Sequence, residues 1–170
     1  MNSKQVIRET LAMADLVAQA YLADLSDSDL QQKPHASCNC INWQIGHLIL
    51  SEHTHMGSID PSFMPKLPEK FELIYAKPAS GIIDSDSIKS QSASTDQLLD
   101  KKTLMDCFHQ QRRATLELLD LQTDETLDTP TGVPYATTRA ALFHLQGAHW
   151  LMHSGQWVIV RRQLGKPVVI

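Results

Sequence analysis

Residues 142–160, with the sequence LFHLQGAHWLMHSGQWVIV, show the clearest helical pattern in the chain. Side chains that recur every three or four residues fall on one face of an α-helix. Here such a stripe begins and ends with aliphatic residues and has polar residues in its middle: Leu142, Leu145, His149, His153, Gln156 and Val160. We therefore expect a long helix, from near Thr138 to near Leu164, whose core-facing side is interrupted by polar groups.

Three further helical patterns precede this one. The first runs from about Ser3 to Leu25, the second from about Cys40 to Met56, and the third from about Asp96 to Leu121. No alternation typical of a β-strand is visible. Four amphipathic helices with one long connection predict an all-α protein. We expect a four-helix bundle of up-down-up-down topology with a long crossover between helices 2 and 3.

The connections between these helices are rich in proline, serine and glycine. Residues 26–36 form a polar link that Pro34 interrupts, and residues 122–136 are expected to form a loop. The connection over residues 58–94 is unusually long, and such segments are often functional. It is expected to contain a short helical turn around Glu69 to Tyr75.

The composition is that of a soluble globular protein, and the length suits a single domain over residues 1–170. The formal net charge is −4, and no lysine and arginine block is dense enough to indicate a nucleic-acid partner. Three cysteines give no disulfide framework, so a reducing compartment is expected. We find no apolar signal-peptide core and no apolar stretch long enough to cross a membrane. The sequence therefore predicts a cytoplasmic protein.

The polar residues inside the fourth helix indicate a metal site. His149 and His153 lie one above the other on the same helix face, and Gln156 lies nearly in line with His149. A buried polar side chain without a partner costs on the order of 1–3 kcal/mol. Neutral imidazole is the commonest metal ligand in proteins, and two histidines four residues apart can bind one ion. Helices often carry two histidines by chance, but the aliphatic residues on both sides favour a divalent metal ion here.

A third ligand is expected from another helix, and His47 is the best candidate. It lies in the middle of the second predicted helix, beside Gly46, which allows a neighbouring helix to approach closely. Trp43, Leu50 and Thr54 share its side of the helix. The other histidines fit less well, because of their angle, their distance along a helix or their position in a loop: His35, His53, His55, His109 and His144.

Two segments resemble a known family. Residues 42–48, NWQIGHL, are similar to the second-helix signature of DinB-like proteins. Residues 149–156, HWLMHSGQ, followed by RRQLGKP at residues 161–167, are similar to their fourth-helix signature. The resemblance implies a four-helix bundle with a three-histidine metal site, here His47, His149 and His153.

The same resemblance implies a range of functions. Members of that family include thiol-dependent S-transferases and a thiol-dependent maleylpyruvate isomerase, and a related domain occurs in ergothioneine-synthesising enzymes. The long connection of this chain has four lysines but no strong basic cluster for an acidic thiol: Lys66, Lys70, Lys77 and Lys89.

Three histidine ligands leave open positions on an ion, as catalytic zinc sites do. An open position can activate water for hydrolysis or bind a thiol for transfer. We therefore predict a metal-dependent transferase or hydrolase that acts on a small molecule, with zinc or nickel as the ion. Residues expected to support the ligands or line the pocket are Gln156, Trp43, Thr54, His109, Phe71 and Tyr75. No general base is identified, and the candidates are Glu52, Glu72 and His109.

Two questions stay open at the level of the sequence. The first is whether the chain is an enzyme or a non-catalytic metal-binding or ligand-binding bundle related to stress. The second concerns residues 150–160, which are apolar nearly all round the helix. Either burial in the monomer core or a homodimer interface explains that pattern.

Overall fold

The computed structural model describes residues 2–77 and 97–169. The chain is mostly helical over these residues, as predicted. The four longest helices are α1 (Ser3–Leu22), α3 (Ile41–Gly57), α5 (Lys101–Asp120) and α7 (Arg139–Gln163). The shorter elements are α2 (Asp27–Leu30), a 3-10 turn (Pro61–Phe63), α4 (Phe71–Tyr75), α6 (Asp124–Leu127), β1 (Pro130–Val133) and β2 (Ala136–Thr138). No helix in the described ranges is both long and apolar enough to cross a bilayer.

Three of the four long helices have ends close to the predicted ones, and the short turn that ends at Tyr75 is also present. The exception is the start of α5, which was expected near Asp96. Asp100 instead precedes the helix, and its carboxylate accepts from the Thr103 N–H at 2.7 Å. The preceding Leu99 is held outside the helix, because its N–H donates to the Tyr75 hydroxyl at 3.0 Å. Asp96 itself lies outside the described residues.

Helices α3 and α5 run in the same direction, which corrects the predicted up-down-up-down topology. Near the start of both helices, the Asn42 amide donates to the Leu99 carbonyl at 2.7 Å. About ten residues further along both, Arg112 donates to Glu52 at 3.0 Å. Two antiparallel helices could not make both contacts.

The directions of the other two helices follow from similar pairs. The α1 and α7 helices are parallel, because Thr10 adjoins Gly147 and the Tyr21 carbonyl accepts from Arg161 at 2.7 Å. The α3 and α7 helices are antiparallel. Gln44, early in α3, contacts His153 and Trp157 late in α7, whereas His55, late in α3, contacts Gln146 early in α7. The resulting order is up-down-down-up.

The connection after α3 explains this topology. It does not turn directly into the next long helix but returns along α3, so that the Tyr75 hydroxyl donates to the Asn42 amide oxygen at 3.1 Å. The chain has thereby come back from Gly57 to the end at which α3 begins. Helix α5 therefore starts at that same end and runs parallel to α3.

The segment between α5 and α7 also differs from the predicted loop. It contains α6 and a two-stranded antiparallel hairpin in which Pro130 pairs with Thr138 and Val133 pairs with Ala136. Gly132 has a φ of +74°, a value that favours glycine, and it lies at the irregular position between these two pairs. Strands of four and three residues are too short to show alternation in a sequence.

A buried arginine joins three of the long helices. Arg112 on α5 is 4% exposed and donates to Asp15 on α1 and to Glu52 on α3, both at 3.0 Å. Glu52 also accepts from the Thr115 hydroxyl at 2.6 Å. These charge-assisted hydrogen bonds satisfy groups that would be costly to bury alone. They also fix the heights of α1, α3 and α5, that is, their relative positions along the bundle axis. We call Asp15, Glu52 and Arg112 the ion cluster.

Candidate metal centre

The structure brings His47, His149 and His153 together between the antiparallel helices α3 and α7. One ligand atom from each residue lies within 4.8 Å of the others. The ring centroids are 5.4 Å apart for His47 and His149, 6.0 Å for His47 and His153, and 5.0 Å for His149 and His153. The last two residues are one helical turn apart, and His47 faces them from the middle of α3.

Burial keeps these three imidazoles neutral. Desolvation lowers the pKa of His47 from 6.5 to about 4, that of His149 to about 3, and that of His153 to about 4. The charge of Lys77 acts in the same direction on all three, and neighbouring histidines add to the effect for His47 and His149. Neutral imidazole is the form that binds a metal ion, so burial prepares all three rings as ligands.

One nitrogen of the cluster is left without a hydrogen-bond partner. His47 is 7% exposed, and its Nε2 is buried with no donor or acceptor in reach. A buried polar atom of this kind is rare in native proteins and calls for an explanation such as an ion. It is the atom that a metal ion between the three rings would satisfy.

Gln44 determines which nitrogen of His153 is available, a role that the predicted site residues do not include. Its Nε2 donates to the Asn39 carbonyl at 2.9 Å, which fixes the orientation of the amide. The Oε1 atom then accepts from His153 Nδ1 at 3.0 Å and from Trp157 Nε1 at 2.9 Å. Because Oε1 can only accept, Nδ1 carries the proton and Nε2 has the free lone pair. Gln44 is in the NWQIGHL segment, but its position alone gives no sign of this contact.

The aromatic residues predicted near the site surround His47. Trp43 stacks on the His47 ring at 5.0 Å with an interplanar angle of 6°, and its indole N–H donates to the Ile74 carbonyl at 3.0 Å. Tyr75 packs against Gly46, where a Cβ atom would lie 2.2 Å from the tyrosine ring. Phe71 is buried, and its ring centroid lies 4.7 Å from that of Tyr75. Helix α4 therefore covers the His47 side of the cluster.

The remaining predicted pocket residues have other contacts. Gln156 accepts from Gln44 Nε2 at 3.2 Å, so it supports the glutamine rather than a histidine. Thr54 is exposed and donates to the Leu50 carbonyl at 2.9 Å. His109 is exposed, with its ring 5.1 Å from that of Phe108. The contacts described for these last two do not connect them to the cluster, and their roles stay predictions.

Comparison with known proteins places this arrangement in a family. Residues 12–157 match the sequence profile of the DinB superfamily, and this range includes all three clustered histidines. The chain belongs to the DinB superfamily. A solved structure, described as the conserved protein of locus from Enterococcus faecalis, is similar to it with a TM-score of 0.72. The two share 18% sequence identity over 98% of this chain and 99% of the other, so the likeness shows the fold. No curated protein sequence matches the chain.

Glu52, a candidate base, has different partners in this DinB superfamily member. It is 1% exposed and binds Arg112 and Thr115, in the ion cluster shared with α1 and α5. His55, two helical turns after His47 on α3, adds to the lowering of the pKa of His47 and of His149. His55 Nε2 lies 3.3 Å from the Tyr135 hydroxyl on the hairpin, and Nδ1 lies 3.3 Å from the Gln146 amide nitrogen.

Among the described residues, one lysine places a positive charge near the cluster. Lys77, two residues after α4, lowers the pKa of all three histidines through its charge. The Tyr75 carbonyl acts in the opposite direction on His47. Three neutral ligands would leave the charge of a divalent ion uncompensated, and Lys77 adds to it. Such a site attracts anions.

Proposed function

We propose that this DinB superfamily protein is a metal-dependent enzyme that acts on a small molecule, with His47, His149 and His153 as ligands of one divalent ion. The observation that carries the proposal is the buried cluster of three neutral imidazoles, one of which has an orphaned nitrogen. Zinc and nickel both suit imidazole ligands.

The donor set fits such an ion. Ligand nitrogens about 2.0–2.1 Å from a tetrahedral zinc ion lie roughly 3.4 Å from one another. The widest separation in the cluster is within 4.8 Å, so the rings need to approach one another by about an ångström. Histidine side chains can do this by small rotations without movement of either helix. Three ligands leave at least one coordination position for water or substrate.

A bound divalent ion would supply Lewis acidity, which lowers the pKa of a water or thiol at an open position. The residues of the chain have separate tasks. Gln44 orients His153, Trp43 and Tyr75 exclude water from one side, and Lys77 favours an anionic substrate. A candidate for moving a proton is His55, which contacts Tyr135 at the exposed hairpin.

The positive surroundings favour a substrate that carries a thiolate or carboxylate group. A low-molecular-weight thiol meets this requirement, which supports transfer chemistry over hydrolysis of a neutral compound. Cytoplasmic location and the lack of a nucleic-acid partner stay predictions from the composition.

Metal analysis tests the site first. Protein purified without metal and then loaded separately with zinc and nickel should hold about one ion per chain. A His149→Ala, His153→Ala double variant should hold none, whereas His144→Ala, on the exposed side of the same helix, should bind as the wild type does. The site is refuted if the wild type fails to bind stoichiometrically or if the double variant binds unchanged.

Activity assays then separate an enzyme from a binding protein. The loaded protein would be assayed with thiols plus electrophiles, and separately with ester and amide substrates. Thiol transfer that disappears in the double variant would support the proposal. A stoichiometric metal site with no turnover in either set would instead favour the non-catalytic metal-binding alternative.

A further inference from the structure

A strip of polar side chains leads along α3 and α7 from the metal centre to the hairpin. Ser51 and His55 follow His47 on α3 by one and two helical turns. Both are partly exposed, as are the two histidine ligands on α7, so this side of the helix pair faces solvent. The strip ends at Tyr135, which lies between β1 and β2 and is 69% exposed. We call Ser51, His55, Gln146 and Tyr135 the polar strip.

Hydrogen bonds from α7 fix where the proton of His55 lies. Gln146, which is 1% exposed, donates through Nε2 to the Leu142 carbonyl at 2.6 Å. The same nitrogen lies 3.3 Å from His55 Nδ1, closer than the amide oxygen at 3.5 Å. Because an amide nitrogen can only donate, Nδ1 accepts from it. Burial lowers the pKa of His55, so the ring is neutral near pH 7 and its single proton is on Nε2.

This chain of hydrogen bonds ends at the hydroxyl group of Tyr135. His55 Nε2 lies 3.3 Å from the hydroxyl oxygen and donates to it, which leaves the hydroxyl hydrogen for another acceptor. Among the described residues, the hydroxyl has no second hydrogen-bond partner. Hydrogen bonds in a chain polarise one another, so this O–H is a stronger donor than that of an isolated tyrosine. The polar strip therefore presents one oriented donor to solvent.

Distance and charge indicate which group this donor suits. His47 and His55 are eight residues apart on one helix, which separates them by about 12 Å along its axis. An extended peptide covers about 3.3–3.6 Å per residue, so a ligand that spans this distance has the length of three to four residues. The polar strip carries no charge, whereas Lys77 brings a positive charge to the metal centre. An uncharged donor suits an amide carbonyl, because a carboxylate is bound most strongly by a cation.

We propose that Tyr135, oriented by His55 and Gln146, binds an amide carbonyl of the substrate while an anionic group of the same molecule lies at the metal centre. This inference rests on the proposed function, because it requires a substrate that is anchored at the ion. It adds the substrate class, which is an elongated molecule with an anionic reacting group at one end and an amide about 12 Å away. Tyr135 contributes to the choice of substrate, and the reacting group stays at the three histidines.

The test measures thiol binding to the cobalt-loaded protein through the absorption band of the cobalt–thiolate bond. Two probes have the same thiol end and no other charge. N-acetylcysteamine carries one amide close to the sulfur, and pantetheine adds a second amide carbonyl about three residue lengths from it. Tyr135→Phe should weaken pantetheine binding about three- to tenfold, which is the effect of one hydrogen bond. The same variant should leave the binding of N-acetylcysteamine unchanged.

Two further variants test the chain behind the tyrosine. His55→Ala should weaken pantetheine binding by the same factor, and the double variant should be no weaker than either single one, because the two residues act as a unit. His144→Ala removes an exposed histidine elsewhere on α7 and should bind both probes as the wild type does. Every variant should hold one cobalt ion per chain, because none of these residues is a predicted ligand.

The outcomes separate the substrate site from the metal centre. If Tyr135→Phe affects both probes equally or affects neither, the role of Tyr135 is overturned, while the thiolate band still supports the proposed function. Additive effects of His55→Ala and Tyr135→Phe would overturn the orientation of the hydroxyl by His55. If the wild type fails to bind cobalt, or shows no thiolate band with any probe, the proposed function is wrong and the inference about Tyr135 is overturned with it.

Discussion

Replacement of Gln44 by alanine should weaken metal binding although Gln44 is not a ligand. The side chain is 2% exposed and accepts from both His153 and Trp157. Without it, His153 can rotate or adopt the other tautomer, so that Nε2 no longer faces the cluster. Loss of a hydrogen bond that orients a metal-binding histidine typically lowers metal affinity 10–100-fold, and we expect a change of about that size.

The same variant should also destabilise the metal-free protein. Trp157 is fully buried, and its indole N–H would lose its acceptor. An orphaned buried donor costs about 1–3 kcal/mol, and His153 Nδ1 adds a second, less buried one. We therefore expect the free energy of unfolding to fall by about 2–4 kcal/mol, measured by urea denaturation without metal. Zinc affinity would be measured at pH 7.5 by competition with a chromophoric chelator.

A control variant separates orientation of the histidine from general loss of stability. Thr115→Val removes a buried hydroxyl that donates to Glu52 at 2.6 Å, in the ion cluster rather than at the histidines. It should cost about 1–3 kcal/mol with little change in zinc affinity. Zinc binding by Gln44→Ala within threefold of the wild type would refute the proposed orientation of His153 by Gln44. So would a Thr115→Val variant that binds zinc as weakly as Gln44→Ala.

Three further variants test other parts of the structure. Lys77→Gln should weaken the binding of thiocyanate, an anion, to the cobalt-loaded protein about two- to fivefold at low ionic strength. If the difference between variant and wild type persists undiminished in 1 M salt, its origin is not electrostatic. Gly46→Ala should cost at least about 1–3 kcal/mol in thermal or urea unfolding, because its methyl group would overlap the Tyr75 ring, and wild-type stability would refute that contact. Burial raises the pKa of Asp15 from 3.8 to about 6, so the folded protein retains a proton that the unfolded chain releases between about pH 4 and pH 6. Its contribution to stability therefore falls as the pH rises through this window, by up to roughly 3 kcal/mol. The difference in unfolding free energy between Asp15→Asn and the wild type should therefore shift in favour of the variant by that amount between pH 4 and pH 7. A difference that does not change with pH would refute the raised pKa of Asp15.

The features of the structure that local rules decide can be predicted from the sequence. The ends of α7 depend on Thr138 and on the stop after Gln163, both of which are local signals. The pairing of His149 with His153 follows from helical spacing alone. His47 could be added because it lies mid-helix on a side shared with Trp43, and the stacked ring of Trp43 on His47 agrees with that placement.

Other features depend on contacts between distant parts of the chain. The parallel course of α3 and α5 arises because the connection returns along α3 to Asn42, and the contact of Tyr75 with Asn42 leaves no local pattern in the sequence. The role of Gln44 likewise depends on distant contacts, since its three partners on α7 are more than a hundred residues away in the sequence. The strands of the hairpin that carries Tyr135, at four and three residues, are too short to show a clear two-residue alternation.

Two buried arginines connect the stability of the fold to the geometry of the metal centre. Arg112 sets the height of α3 relative to α1 through Glu52 and Asp15. Arg161, which is 1% exposed, sets the height of α7 relative to α1 through the Tyr21 carbonyl. Helix α1 provides none of the three histidines, yet it is the common reference for the two helices that do. The height of His47 opposite His149 and His153 therefore depends on these contacts with α1 as well as on the direct contacts of Gln44 with His153 and Trp157. Such an arrangement can hold the three ligands in place before an ion binds, because contacts within the protein, rather than the metal, fix the register of the two helices.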